Sequence, residues 1–157
     1  KAFPKDSNIK ISLARALLLD NQTEKAQDMM ETAAALNPTD VSVQVMLARF
    51  YENIGRPEAA EKELLKVKDD FPREPLSHLA LNRFYVKMNR LADAEKVLQQ
   101  AIDKEVKDKN LLLALGLIQH KDKNYQGALK SFRAAAAVSP EDQRSLILLA
   151  DYYVFFI

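Results

Sequence analysis

Few residues of this chain carry groups able to do chemistry. There are two histidines and no cysteine, so a thiolate nucleophile, a disulfide framework and a thiolate metal site are all excluded. Neither His78 nor His120 has a second His or Cys at helical spacing, whereas a structural or catalytic zinc site needs three or four ligands brought together. A histidine in that situation is read as a packed or solvated ring, His78 in a packing slot and His120 toward a groove. Paired acids occur at Asp69-Asp70 and Glu141-Asp142, at the ends of apolar-periodic stretches. There, capping and the helix dipole account for them better than acid–base catalysis does. No glycine-rich phosphate loop and no His-Glu-x-x-His pattern is present. The runs Lys104-Glu105 and Lys107-Asp108-Lys109 read as a solvated connection. An enzyme is not expected, and no cofactor or metal is implied.

What must be explained instead is the set of elements that holds these residues. Ala26, Ala60, Ala94 and Ala128 follow one another at a constant step of 34 residues. The same step joins Leu13, Leu47, Leu81, Leu115 and Leu149, and it joins Pro4, Pro38, Pro72 and Pro140, with Val106 in the one missing proline slot. Bulky residues recur at Met30, Leu64, Leu98 and Phe132, and small ones at Ala14, Ala48, Gly116 and Ala150. Within each step the apolar spacing is helical. Ser7 to about Asp20 presents Ile9, Leu13, Ala16 and Leu17, and Glu24 to about Leu36 presents Ala26, Met30, Ala33 and Ala34. Asn21 suits a left-handed helix end and Thr23 an N-cap; Gly55 and Asn89 punctuate later steps in the same place. Asn37-Pro38-Thr39-Asp40 should end the second helix and cap the next, and Ser139-Pro140-Glu141-Asp142 reads as a cap, a first-turn proline and early acids. With only 3 glycines and a surplus of Ala, Leu, Glu and Lys, the chain should be all-α. Helices pair because small residues at Ala14, Ala48 and Gly116 admit the partner, and no single pair can bury its apolar face alone.

On these columns, together with the Leu13-Ala14, Leu47-Ala48 and Leu115-Gly116 pairs and with Tyr51 and Tyr85, the sequence resembles the tetratricopeptide repeat family over essentially its whole length. The resemblance implies a right-handed superhelical solenoid of antiparallel helix pairs. The repeats would run approximately 7–40, 41–74, 75–108 and 109–142, with a first helix only at 143–157, as a piece of a longer chain. Three positions depart from the family pattern. His78 stands where the family often has Trp, Asn82 replaces a small residue, and Val106 replaces proline. A wider third pair and a looser passage into the fourth are expected from them. RNA-reading helical repeats are disfavoured by the strict 34-residue step and by a net charge of +1 from 23 basic and 22 acidic residues, which leaves no basic footprint.

In this family the first helices of successive repeats line the concave face, with rungs about 10 Å apart. Projected onto that arrangement, Ile11, Val45, Leu79, Leu113 and Ile147 form an aliphatic ladder. Arg15, Arg49 and Arg83, continued by Leu117 and Asp151, form a second. Leu18, Val86 and His120 widen the strip. A planar guanidinium fork suits carboxylates, so the resemblance implies a protein or peptide partner with aliphatic anchors and acidic groups. The alternative for both ladders is structural: aliphatic residues packed between first helices, and arginines paired with neighbouring acids. The family's chaperone-tail clamp needs Lys and Asn where this chain has Ile11 and Arg15, so that specificity is not expected. An architectural spacer or self-assembly module without a peptide ligand is the alternative function. Self-association is expected through the apolar stretch from Leu146 to Ile157, which lacks a covering partner. No apolar run approaches the ~20 residues of a membrane span, and nucleic acid is not an expected partner. The regular Glu-Ala-rich repeats resemble many bacterial members of the family, envelope lipoproteins included. Cytoplasm and envelope are both compatible with the sequence.

Overall fold

The computed structural model describes residues 7–156, so Pro4 and Ile157 lie outside the described residues. Among those described there are nine α-helices and no strand: α1 Ser7–Leu19, α2 Thr23–Leu36, α3 Val41–Asn53, α4 Pro57–Asp70, α5 Pro75–Lys87, α6 Leu91–Asp103, α7 Lys109–Lys121, α8 Tyr125–Val138 and α9 Gln143–Phe156.

The turn inside each pair follows one backbone recipe. Asn21, Gly55, Asn89 and Lys123 occupy one column and all have positive φ, between 56° and 74°. In each case the next amide donates back to the preceding helix: Gln22 N to Leu17 O, Arg56 N to Tyr51 O, Arg90 N to Tyr85 O and Asn124 N to Gln119 O, at 2.8–2.9 Å. This left-handed C-terminal motif satisfies carbonyls that the helix leaves open. Gln22 then serves at once as the N-cap of α2, its carbonyl accepting from Ala26 N at 3.0 Å. Thr23 is therefore the first residue inside α2, not its cap, because the turn has already set the backbone one residue earlier.

Caps between pairs come from a column of acids. Asp40 accepts from Ser42 N and Val43 N, Asp108 from Asn110 N and Leu111 N, and Asp142 from Ser145 N. Glu74, in the same column, makes no side-chain cap, and Pro75 opens α5 instead. Ser139 is the C-cap of α8, not the cap of the helix after it, and α9 starts at Gln143 behind Asp142. Asp142 also binds Ser145 Oγ and the Lys109 ammonium. These hydrogen bonds, led by Lys109's, hold its carboxyl at about 2, below the usual carboxylate value.

Contacts cluster into two compact units, residues 1–71 and 72–157. In the first, α1 pairs with α2, α3 pairs with α4, and α2 packs on α3. Ala14, Ala26, Ala48 and Ala60 are wholly buried, and Met30 and Ala33 join Leu47 and Phe50 in the core. Gln44 reaches out of this core to bind two carbonyls at the end of α2, Ala34 O at 2.9 Å and Asn37 O at 2.8 Å. Leu13 is 46% exposed while its column-mates Leu47, Leu81 and Leu115 are 0–6% exposed, since no described helix precedes α1.

In the second unit α5 pairs with α6 and α7 with α8, α6 packs on α7, and α9 packs on α8. His78 holds the position that Gln44 holds in the first unit, and its Nε2 lies 2.9 Å from Pro72 O. Asn82 is buried and donates to Ala94 O at 3.3 Å, so the family's small residue is replaced by one whose amide is satisfied across the pair. Val106 has a backbone reason. Glu105 adopts φ 58°, and Val106 N donates to Ala101 O at 3.1 Å, a bond proline could not make. Gly116 lies against the Phe132 ring, which also meets the Tyr152 ring edge-on at 5.3 Å between ring centres.

Candidate functional site

In the first unit, α1 presents Ile11, Arg15 and Leu18 at successive turns, and α3 presents Met46, Arg49, Phe50 and Asn53. Together with Met30 of α2 they line a cleft of about 240 Å³. Ile11 and Phe50 are buried and make its floor, while Arg15 and Arg49 are exposed on opposite walls. Neither guanidinium makes a hydrogen bond or ion pair among the described residues. Tyr51, on the other side of α3, gives its hydroxyl hydrogen to Glu31 at 2.9 Å. Burial, reinforced by that carboxylate, pushes the phenol up to about 12.

The aliphatic ladder is not a continuous surface strip. Ile11 and Val45 are each 7% exposed and Leu113 3%, while Leu79 is half-buried. Side chains lean toward the N-terminus of their own helix, and at this register they are taken up by packing. Ile147 of α9 is the one rung left exposed among the described residues, and the other exposed apolar groups of these helices include Met46 in α3, Val86 in α5 and Leu117 in α7. Of these, Met46 escapes a reading of the sequence by columns, although it sits one turn before Arg49 and the helical period could flag it.

In the second unit Arg83 is exposed on α5 and Asp151 on α9. His120 does not stand clear in a groove. Its ring lies 5.7 Å from those of both Tyr125 and Tyr152, and this aromatic cluster keeps it half-buried. On α9, Ile147 and Val154 are 58% and 75% exposed. No described helix is long and apolar enough to cross a membrane, and the described residues contain no group of three or more His, Cys, Asp or Glu arranged to hold a metal.

Helix pairs repeating every 34 residues, with alanines at the crossing and acids at the joints, are the hallmarks of one repeat class, and comparison of the sequence with known families agrees. The tetratricopeptide repeat matches residues 17–82 and again 83–143. The chain belongs to the tetratricopeptide repeat family, whose repeats generally mediate protein–protein interaction. No curated protein sequence matches it. Solved structures share the fold at low identity. TTC0263, a thermophilic TPR protein of Thermus thermophilus, is 21% identical with a TM-score of 0.66, covering 95% of this chain and 82% of that one. MamA from Desulfovibrio magneticus RS-1 is 17% identical with a TM-score of 0.63, covering 98% and 86%. YrrB, described as a TPR protein with an unusual peptide-binding site, is 13% identical with a TM-score of 0.62, covering 92% and 74%.

Proposed function

We propose that this chain is a non-catalytic interaction scaffold that binds a polypeptide segment in the cleft between α1 and α3. The supporting observation is the pair of unpartnered guanidiniums, Arg15 and Arg49, over the apolar floor of Ile11 and Phe50. Two exposed cations with no acid to neutralise them among the described residues are available to carboxylates of a ligand, and the floor accepts an aliphatic anchor. The segment that fits carries Leu or Ile beside Asp or Glu. Arg83 and the half-buried Leu79 belong to the same reading as contacts that the second unit offers on its own, whereas Leu113 and His120 are taken up by packing there.

An array of short peptides, each with one aliphatic residue flanked by acids, tests this directly. Arg15→Glu combined with Arg49→Glu should lower affinity by about tenfold or more, since paired charges at a desolvated site are worth about 1.4 kcal/mol or above. Helical circular dichroism should be unchanged. Equal binding by the variant would refute the cleft as the site. The exposed Ile147 and Val154 favour a second reading, self-association through α9. Sedimentation at rising concentration checks it, and a constant monomer mass would count against it.

A further inference from the structure

The first unit has a second cleft, on the other side of α3 from Arg15 and Arg49. It lies between α2 and α4, with Gln44 and Leu47 of α3 at its base and a volume of about 290 Å³. It exists because α2 presents Ala34 and Ala35 along one wall. The same columns hold Lys68 and Asp69 in α4, and Ile102 and Asp103 in α6. Val67 closes the opposite wall near its base.

The rim is acidic. Glu31, Glu63 and Asp70 stand around the opening against a single lysine, Lys66, which sits 3.7 Å from Glu63. The cleft ends at Pro38 and Phe71, where the last turns of both α2 and α4 finish, so the C-terminal ends of two helix dipoles add negative potential there. Asp70 is in the last turn of α4, so the helix dipole does not account for it as expected from the sequence; this is the worst place on a helix for a carboxylate. It makes no hydrogen bond or ion pair among the described residues that would offset this. A carboxylate held against the local dipole without a partner is the kind of conflict that an external cation relieves.

We infer that the α2–α4 cleft is a second docking groove, whose occupant is a polypeptide segment with an aliphatic residue flanked by lysine or arginine. The aliphatic side chain would fill the space over Ala34 and Ala35, and the flanking cations would meet Asp70, Glu63 and the two helix ends. Its charge preference is opposite to that of the Arg15–Arg49 cleft. One chain would thus hold two segments of different character on two sides of one helix.

The test uses the whole chain and a labelled peptide with one leucine between pairs of lysines, titrated by fluorescence anisotropy at physiological salt. Saturable binding is expected. Glu63→Gln with Asp70→Asn should weaken it about tenfold, and so should Ala35→Leu, which fills the cleft without changing charge. Arg15→Ala with Arg49→Ala should leave it unchanged, which separates this groove from the first cleft. Backbone amide shifts in the unmodified protein should move at Ala35, Gln44 and Val67, a readout that needs no variant to fold. Three results would overturn the inference: no saturable binding, full binding by Ala35→Leu, or amide shifts confined to α1 and the Arg49 face of α3.

Discussion

Gly116→Ala is the substitution whose outcome the geometry constrains most tightly. In the repeat frame a small residue faces a bulky one sixteen positions later: Ala14 with Met30, Ala48 with Leu64, Gly116 with Phe132. A Cβ at Gly116 would lie 2.5, 2.7 and 2.9 Å from three carbons of the Phe132 ring, where carbon–carbon contact requires about 3.5–4.0 Å. The ring must therefore retreat by roughly 1 Å. It has little room, being 2% exposed with the Tyr152 ring edge-on 5.3 Å away. Overpacking of this kind costs about 1–3 kcal/mol, and the better helix propensity of alanine returns at most about 1 kcal/mol. The net expectation is a loss of up to about 2 kcal/mol, read by urea unfolding followed by circular dichroism. Phe132→Leu alone should also destabilise, by leaving a cavity. The double variant rebuilds the Ala–Leu pair that Ala48 and Leu64 already make, so the two effects should cancel in large part, with a coupling of about 1–2 kcal/mol. A gain in stability from Gly116→Ala, or strict additivity of the pair, would refute the steric account.

Two further outcomes follow from local features. Lys123 sits at φ 61° in the column where Asn21, Gly55 and Asn89 sit, and a left-handed conformation costs a lysine about 1 kcal/mol that glycine does not incur. Lys123→Gly should therefore raise the unfolding midpoint by an amount corresponding to about 0.5–1 kcal/mol, and a lowered midpoint would contradict this. Asp142 is held at about 2 against an ordinary 3.8, so its contribution is present above about pH 4 and is lost as pH falls through 4 toward 2. Asp142→Asn should flatten the acid limb of the stability profile, as measured by unfolding at a series of pH values.

The helix pairs are legible in the sequence because a period of 34 residues acts on every column at once; an error in one residue cannot shift the frame. Asn21 declares itself by its chemistry as a left-handed turn residue, and Asn37-Pro38-Thr39-Asp40 as a helix stop and cap in which the structure gives the capping oxygen to Asp40. Thr23 misleads because the hydroxyl rule ignores what the preceding turn does to the backbone, and Gln22 caps through its carbonyl, which every residue type carries. The same blindness hides Lys123 and Glu105, whose positive φ is imposed by the turn and not announced by the side chain. At the candidate site, Arg15 and Arg49 can be paired from spacing alone, but the orientation of their neighbours cannot. Which of Ile11, Val45 and Met46 faces outward depends on how α1 and α3 rotate against α2 and α4, and that rotation is decided by packing volumes distributed over the whole unit.

Val106 carries a lesson for anyone tempted to idealise this protein. Averaging the repeats would restore a proline there, as at Pro38, Pro72 and Pro140. Such a change would erase the amide that closes the turn onto Ala101 and leave that joint worse than nature made it. The irregular copy is the adapted one: the joint after α6 ends in a left-handed hook, and its spelling departs from its siblings because its geometry does.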